Sequence, residues 1–325
     1  MTRFFLGGDV GATKTHVLVA DETGRALGFG QAGPGNHEGV GYEGLAAALR
    51  TATDQALAAA GLSRHLIAGA GFGIGGLDWP SEREPHLQAI ASLGLRGPVE
   101  AVNDATLGLL AGCAEGWGVA VVSGTGCNCR GWDATRRHEG MVTGHGVWMG
   151  EGAGAGELVV MALRALSYEW TRRGPATQLT PAFLRHTGAR SLGEMLEKLL
   201  TGKLELDAEA APLIFQVAAA GDPVARQLVC WAGAELGELA NAVIRQLGFK
   251  ALAFDLVLVG GMFDAGCPLI EPMRGTVHAL APGARFVRLE APPVVGAVLL
   301  GMEQAGMAAL ERRESLIRSA RALIS

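Results

Sequence analysis

The first thirty residues alternate short apolar runs with turn-forming clusters. Residues 4–10, 16–20 and 26–32 read as three strands, joined by Gly11-Ala12-Thr13-Lys14 and Asp21-Glu22-Thr23-Gly24. The period then changes. Leu45, Leu49, Ala52 and Ala56 recur at helical spacing, which predicts a helix from about Tyr42 to Ala60 with Gly61 as its C-cap. Residues 66–74 are apolar and glycine-rich, as in a buried strand. A helix over 81–92, a short strand over 99–102 and a helix from Asp104 follow. The order β-β-β-α-β-α-β-α predicts a mixed sheet with helices on its faces.

The second half restarts the pattern. An apolar strand over 118–122 ends in Ser123-Gly124-Thr125-Gly126, and strands over 128–132 and near 139–142 flank a turn begun by Asp133. Strand, glycine-threonine turn, strand, Asp-initiated turn, strand: the two halves read as distant copies of one unit. After the glycine-rich stretch 144–156 the period is helical over 158–170, 191–200, 208–220 and 223–247, with Asp222-Pro223 supplying an N-cap and a first-turn proline. A buried strand over 254–259 ends in Gly260-Gly261. A strand near 285–289 and helices over 292–302 and from 307 onward close the chain. The expected domains are 1–116 plus about 292–325, and 117–291, with the terminal helices returning to the first.

Composition narrows the function classes. Of 325 residues 49% are apolar and 18% charged, which excludes disorder. The 27 Lys+Arg against 32 Asp+Glu leave a net charge of -5 without basic clusters, so neither nucleic acid nor an anionic membrane is an expected partner. No stretch reaches the ~18 apolar residues of a membrane span, and Phe4-Phe5-Leu6 is too short for a signal-peptide core. A cytoplasmic chain is expected. Five scattered cysteines, Cys127 and Cys129 among them, complete no zinc set and read as reduced thiols. The 49 glycines, about twice the usual share of roughly 7%, carry no collagen period and cluster after predicted strands.

Glycines at strand ends let main-chain N–H groups approach an anion. The first such turn, Gly8-Asp9-Val10-Gly11-Ala12-Thr13-Lys14-Thr15, lacks both the Walker A spacing and the G-x-G-x-x-G dinucleotide fingerprint. It offers hydroxyls, a cation in Lys14, and in Asp9 a carboxylate able to hold Mg²⁺ through water. The same residues also make an ordinary hairpin turn. Ser123-Gly124-Thr125-Gly126 occupies the equivalent place in the second half, and two such loops facing each other would grip a polyphosphate from both sides. Gly260-Gly261 could lie against a flat base, or simply form a tight turn. In Asn103-Asp104, a carboxylate at a strand-to-helix junction is either an N-cap or a general base for a hydroxyl attacking a γ-phosphate. Asn36-His37, His145 and Glu151 are further polar candidates near an acceptor.

Taken in order, Gly8 to Thr15, Gly33-Pro34-Gly35-Asn36-His37, Asn103-Asp104-Ala105, Ser123 to Arg130 and Gly260-Gly261 resemble the N-acetylglucosamine kinase family. That family is grouped with the BadF/BadG/BcrA/BcrD-type ATPases in the sugar kinase–Hsp70–actin superfamily. The resemblance covers about residues 4–305. It implies duplicated ribonuclease H-like, actin-like ATPase domains around a central nucleotide and sugar cleft, with ATP and Mg²⁺ as cofactors and a small sugar as substrate, in a possible homodimer. Asp104 would be the catalytic base and Asp9 the metal-binding carboxylate. Gly11, Thr13, Lys14, Gly124, Thr125, Gly126, Gly260 and Gly261 would hold the nucleotide. Asn36, His37, Asn103, Asp104, Gly144, His145, Gly146 and Glu151 would hold the sugar, N-acetylglucosamine phosphorylated at its 6-hydroxyl, with glucosamine, N-acetylmuramic acid or another hexose as alternative acceptors. An activator-type ATPase driving a partner protein is the rival outside sugar kinases. One departure is visible: where that family carries Gly-Asp-Glu-Gly-Ser/Thr, this chain has Met149-Gly150-Glu151-Gly152-Ala153, so Gly150 stands at the aspartate position.

Overall fold

The computed structural model describes residues 2–324 and contains two five-stranded sheets with one strand order. In the first, β1 (Phe4–Val10), β2 (Thr15–Asp21) and β3 (Ala26–Ala32) form an antiparallel meander, and β4 (Ile67–Ile74) and β5 (Val99–Asn103) add parallel to β1 on its other side. Helices α1 (His37–Ala60) and α2 (Arg83–Ala91) make the crossovers, and α3 (Asp104–Gly112) follows β5 directly. The second sheet repeats the plan: β6 (Gly118–Ser123), β7 (Cys127–Trp132) and β8 (Glu139–Met141) form the meander, and β9 (Phe254–Val259) and β10 (Ala284–Arg288) run parallel to β6. The crossover from β8 to β9 is the elaborated one, holding α4 (Ala155–Trp170), α5 (Leu179–Thr187), α6 (Leu192–Leu200), α7 (Ala211–Ala219) and α8 (Pro223–Leu247). Helix α9 (Cys267–Leu280) joins β9 to β10, and α10 (Val294–Gln304) and α11 (Arg313–Ile324) end the chain. The duplicated α/β plan is the one the sequence predicts.

Two helices are shared between the sheets. Helix α10 follows the second sheet but lies against β1 and β4 of the first, and it touches α3. Helix α3 follows the first sheet and touches β6, β7 and β9 of the second. The resulting core unites Phe5, Leu18, Leu109, Leu110, Val257, Val259, Val294 and Val298, all at or below 9% exposure. Burial of each such side chain stabilises by about 1.5–3 kcal/mol. Glycine makes the approach possible: a Cβ on Gly71 of β4 would lie 2.3 Å from the Ala297 carbonyl oxygen, and one on Gly296 of α10 would lie 2.2 Å from that of Leu107.

Helix α1 starts at His37, five residues before the expected Tyr42. Asn36 caps it by accepting from the Glu38 N–H at 2.9 Å, and Gly41 (φ 69°, ψ 172°) then interrupts the helical path before the periodic stretch begins. Helices α5 and α9 lie where no element was expected. Helix α9 carries Pro268 in its first turn and Pro272 inside it, residues that read in sequence as breakers.

Candidate active site

The first sheet presents its strand ends as a small set of linked loops. At the β1–β2 turn the Gly11 N–H donates to Lys14 O at 2.9 Å, leaving Thr13 and Lys14 exposed at the rim. The next loop is tied to this turn: the N–H groups of Gly35 and Asn36 donate to Gly11 O at 3.1 and 3.3 Å, and Thr15 Oγ1 donates to Gly33 O at 3.0 Å. Asn36 and His37 therefore stand beside the candidate phosphate loop. They also abut the turn after β4, where a Cβ on Gly76 would lie 2.5 Å from Asn36 Oδ1 and 3.0 Å from His37 Nδ1. At the end of β5, Asn103 Oδ1 accepts from the Ala105 N–H at 3.0 Å and caps α3, which makes Asp104 the first residue of the helix.

Asp9 and Asp104 are the electrostatic centre of this half. Burial, and then the facing Asp104 carboxylate, push the Asp9 carboxyl up to about 7, against the pull of Lys14. Burial also pushes Asp104 up to about 6; the Ala105 N–H lowers it, Asp78 raises it and Arg130 lowers it. Two carboxylates in mutual repulsion at a strand end form an oxygen donor set that suits a hard divalent cation. Asp9 thus fits the Mg²⁺ role expected of it, and the cation would relieve the repulsion.

The second sheet answers with main chain. The Gly124 N–H donates to Gly126 O at 2.9 Å. The N–H groups of Ala155 and Gly156 donate to Gly124 O and Thr125 O at 2.8 and 2.9 Å, so the loop is fastened to the start of α4. At the end of β9, Gly260 adopts φ +106° and crosses under the β6 end, where a Cβ would lie 2.3 Å from Ser123 O. Arg288 holds this crossing by donating to Leu258 O and Gly260 O, each at 2.9 Å. Gly124, Thr125 and Gly261 line a 550 Å³ pocket completed by Ala208, Glu209, Pro212, Phe215 and Gln216 from α7 and the turn before it. The spacing over 208–220 predicts a helix, and nothing in it marks a pocket wall. A larger groove of 800 Å³ lies between α4 and α6 and is lined by none of the strand-end loops.

Between the halves runs the segment from Thr143 to Gly152. Both oxygens of the buried Glu151 accept from its backbone, Oε1 from the Thr143 N–H at 2.7 Å and Oε2 from the His145 N–H at 3.0 Å. Glu151 thereby fixes the turn holding Gly144 (φ +74°) and Gly146 (φ +63°). His145 reaches the first half, where Trp79 Nε1 donates to its Nε2 at 3.2 Å and Glu38 lies 3.8 Å from its Nδ1. The structure thus groups Asp9, Gly11, Asn36, His37, Asn103 and Asp104 on one side and Gly124, Thr125, Gly126, Gly260 and Gly261 on the other. Sequence reading missed Asp78, which is buried against the Arg130 guanidinium.

The sequence pattern of the BadF/BadG/BcrA/BcrD ATPase family matches residues 6–301. The chain belongs to this family. It is 24% identical over 308 residues to the N-acetylmuramic acid/N-acetylglucosamine kinase of Clostridium acetobutylicum, an alignment covering 93% of this chain and 99% of that protein. It is 26% identical over 324 residues to the N-acetyl-D-glucosamine kinase of Dictyostelium discoideum, covering 92% and 97%. The solved structure of a Chromobacterium violaceum protein provisionally assigned as an N-acetylglucosamine kinase superposes with a TM-score of 0.69 at 22% identity, covering 92% of this chain and 98% of that one. The fold is that of the two-domain, actin-like sugar kinases. Cys127 and Cys129 are buried, and burial pushes the Cys127 thiol up to about 12. Among the described residues no helix is long and apolar enough to cross a membrane.

Proposed function

We propose that this chain is an ATP-dependent sugar kinase whose acceptor is an amino sugar, N-acetylglucosamine at its 6-hydroxyl. The observation that carries this reading is the pairing across the cleft. A raised, half-buried carboxylate, Asp104, stands beside Asn103 at the start of α3, a helix that packs against β6 and β9, whose strand-end residues Gly124, Thr125 and Gly261 line a 550 Å³ pocket. The two curated relatives named for N-acetylglucosamine support the choice of acceptor.

In this reading the turns at Gly124–Gly126 and Gly11–Lys14 hold the phosphates by the main-chain N–H groups left after those of Gly11 and Gly124 have closed the turns on Lys14 O and Gly126 O, with Thr13, Lys14 and Thr125 adding polar contacts. Asp9 would hold Mg²⁺, which when bound would supply positive charge against the transferring phosphoryl group. Asp104 takes the proton of the sugar hydroxyl as its oxygen bonds the γ-phosphorus, and the bond to the β,γ-bridging oxygen breaks to release ADP. Positioning and charge stabilisation supply most of the rate, and a general base adds about 10²–10⁴-fold. Glu151 serves the acceptor by fixing the turn at Gly144–Gly146 rather than by offering free oxygens, since both already accept from backbone.

The test is ADP formation with Mg-ATP over a panel of N-acetylglucosamine, glucosamine, N-acetylmuramic acid and glucose. ADP release that requires N-acetylglucosamine, with phosphate recovered on the 6-hydroxyl, is the expected result. A higher kcat/KM for another sugar replaces the acceptor. ADP release indifferent to every sugar overturns the kinase reading in favour of an ATPase that acts on a protein.

A further inference from the structure

A buried polar chain links the second sheet to the start of α3. Arg130, on β7, is 2% exposed, and its Nη2 donates to Asp78 Oδ1 from the turn after β4, whose side chain is 6% exposed. The same Asp78 oxygen accepts from Asn103 Nδ2 at 3.0 Å. Asn103 Oδ1 accepts from the Ala105 N–H at 3.0 Å and from Asn128 Nδ2 at 3.4 Å. Asp104 Oδ1 accepts from that same Ala105 N–H at 2.8 Å.

This geometry selects one orientation of the Asn103 amide. With Nδ2 against the Asp78 carboxylate, Oδ1 faces the helix N–H and caps it. Flipped, the amide would set oxygen against carboxylate and NH₂ against N–H, two repulsive contacts in a low-dielectric interior. Asp78 therefore fixes the cap. Arg130 holds Asp78 in place from the opposite sheet. A buried ion pair is a poor source of stability, because desolvation offsets its attraction, so its effect lies in geometry. We infer that Arg130 and Asp78 form a positioning pair: they set the Asn103 cap and, through the shared Ala105 N–H, the direction of the Asp104 carboxylate, only when the two sheets are in register. This rests on the phosphoryl-transfer role proposed for Asp104.

The test compares wild type with Asp78→Asn, Arg130→Lys, Arg130→Met and the double variant Asp78→Asn/Arg130→Met, which removes both charges and leaves no lone buried ion. Readouts are sugar-dependent turnover, ATP affinity by titration calorimetry, and the thermal midpoint. Misplacement of a reacting group by about 1 Å costs on the order of 10² in rate. We expect kcat to fall by about that factor in Asp78→Asn, in Arg130→Met and, to no greater extent, in the double variant, with ATP affinity kept within about twofold and Arg130→Lys retaining more activity than Arg130→Met. A folded double variant with kcat within about threefold of wild type overturns the inference. Equal losses of ATP affinity and turnover also overturn it, because they mark general structural damage. Wild type without sugar-dependent ADP release fails the kinase reading itself, and this assignment with it.

Discussion

The two sheets share a strand order, yet they end their strands differently. In the first, the helix after the last parallel strand starts with Asn103-Asp104, a side-chain cap and a carboxylate. At the same topological place in the second, α10 starts after Pro292-Pro293 with no side-chain cap at all. After β4 the chain turns through Gly75-Gly76 to a buried Asp78, whereas after β9 it turns through Gly260-Gly261 to the buried apolar Met262 and Phe263. One copy has side-chain chemistry at its strand ends and the other has bare backbone. A duplicated frame lets these specialise apart, because α3 and α10 cross between the sheets and hold the two ends face to face. In the proposed reading the second sheet serves phosphate with backbone alone, where N–H groups can approach an anion, while the first adds the side chains that a hydroxyl to be deprotonated needs.

The contrast is broken most severely at Asp104. Asp104→Asn keeps size and can still accept from the Ala105 N–H, yet it cannot take a proton. Sugar phosphorylation should fall by about 10²–10⁴-fold while ATP binding is unchanged. Steady-state ADP release and calorimetry separate the two, and turnover above roughly a tenth of wild type would remove Asp104 as the base.

The matching break in the second sheet is Gly260→Ala. The new methyl would meet Ser123 O at 2.3 Å on a backbone at φ +106°, a conformation that costs a non-glycine residue about 1–3 kcal/mol before any clash. Lower stability and a rise of about tenfold in the KM for ATP are expected, with the sugar KM little changed. Chemical denaturation and paired KM measurements check it. A shift confined to the sugar KM would contradict the division between the sheets.

Much of this contrast was legible in sequence because it is local. Strand periodicity and turn residues mark β1, β3 and β9 at their observed ends, and Asp222-Pro223 marks the start of α8. The glycine-threonine turns and Asn103-Asp104 are adjacent residues with self-contained chemistry. Long-range relations were not legible. Asp78 and Arg130 lie 52 positions apart, and no spacing rule pairs them. The glycines misled in part: Gly71 and Gly296 serve helix packing, a use that in sequence looks the same as a ligand loop. Helix α9 is hidden in sequence because Pro268 and Pro272 read as breakers; Pro268 sits in the first turn, where a missing N–H costs little, and Pro272 is accommodated inside the helix. Asn36 reads in sequence as a sugar contact, yet its cap on α1 is the signal for the helix start five residues before Tyr42.

The smallest expected effect sharpens the comparison through pH. Asp104 is pushed up to about 6, above the usual 3.8, chiefly by burial. As a base it must be ionised, so kcat/KM should fall as pH drops through about 6, close to tenfold between pH 7 and pH 5, on a single-proton limb. Stability should run the other way. A carboxyl raised in the folded state binds more protons there than in the unfolded chain between about 3.8 and 6, so its contribution is present at low pH and lost as pH rises through that window. Asp104→Asn removes the titration, and the variant should gain on the order of 1 kcal/mol over wild type at pH 7.5 and little at pH 4. Denaturant melts across this range check the sign. A variant less stable than wild type at pH 7.5 would mean that the carboxylate is held by contacts that favour its charge, and the side-chain half of the cleft would then be a brace rather than a site kept under strain for proton transfer.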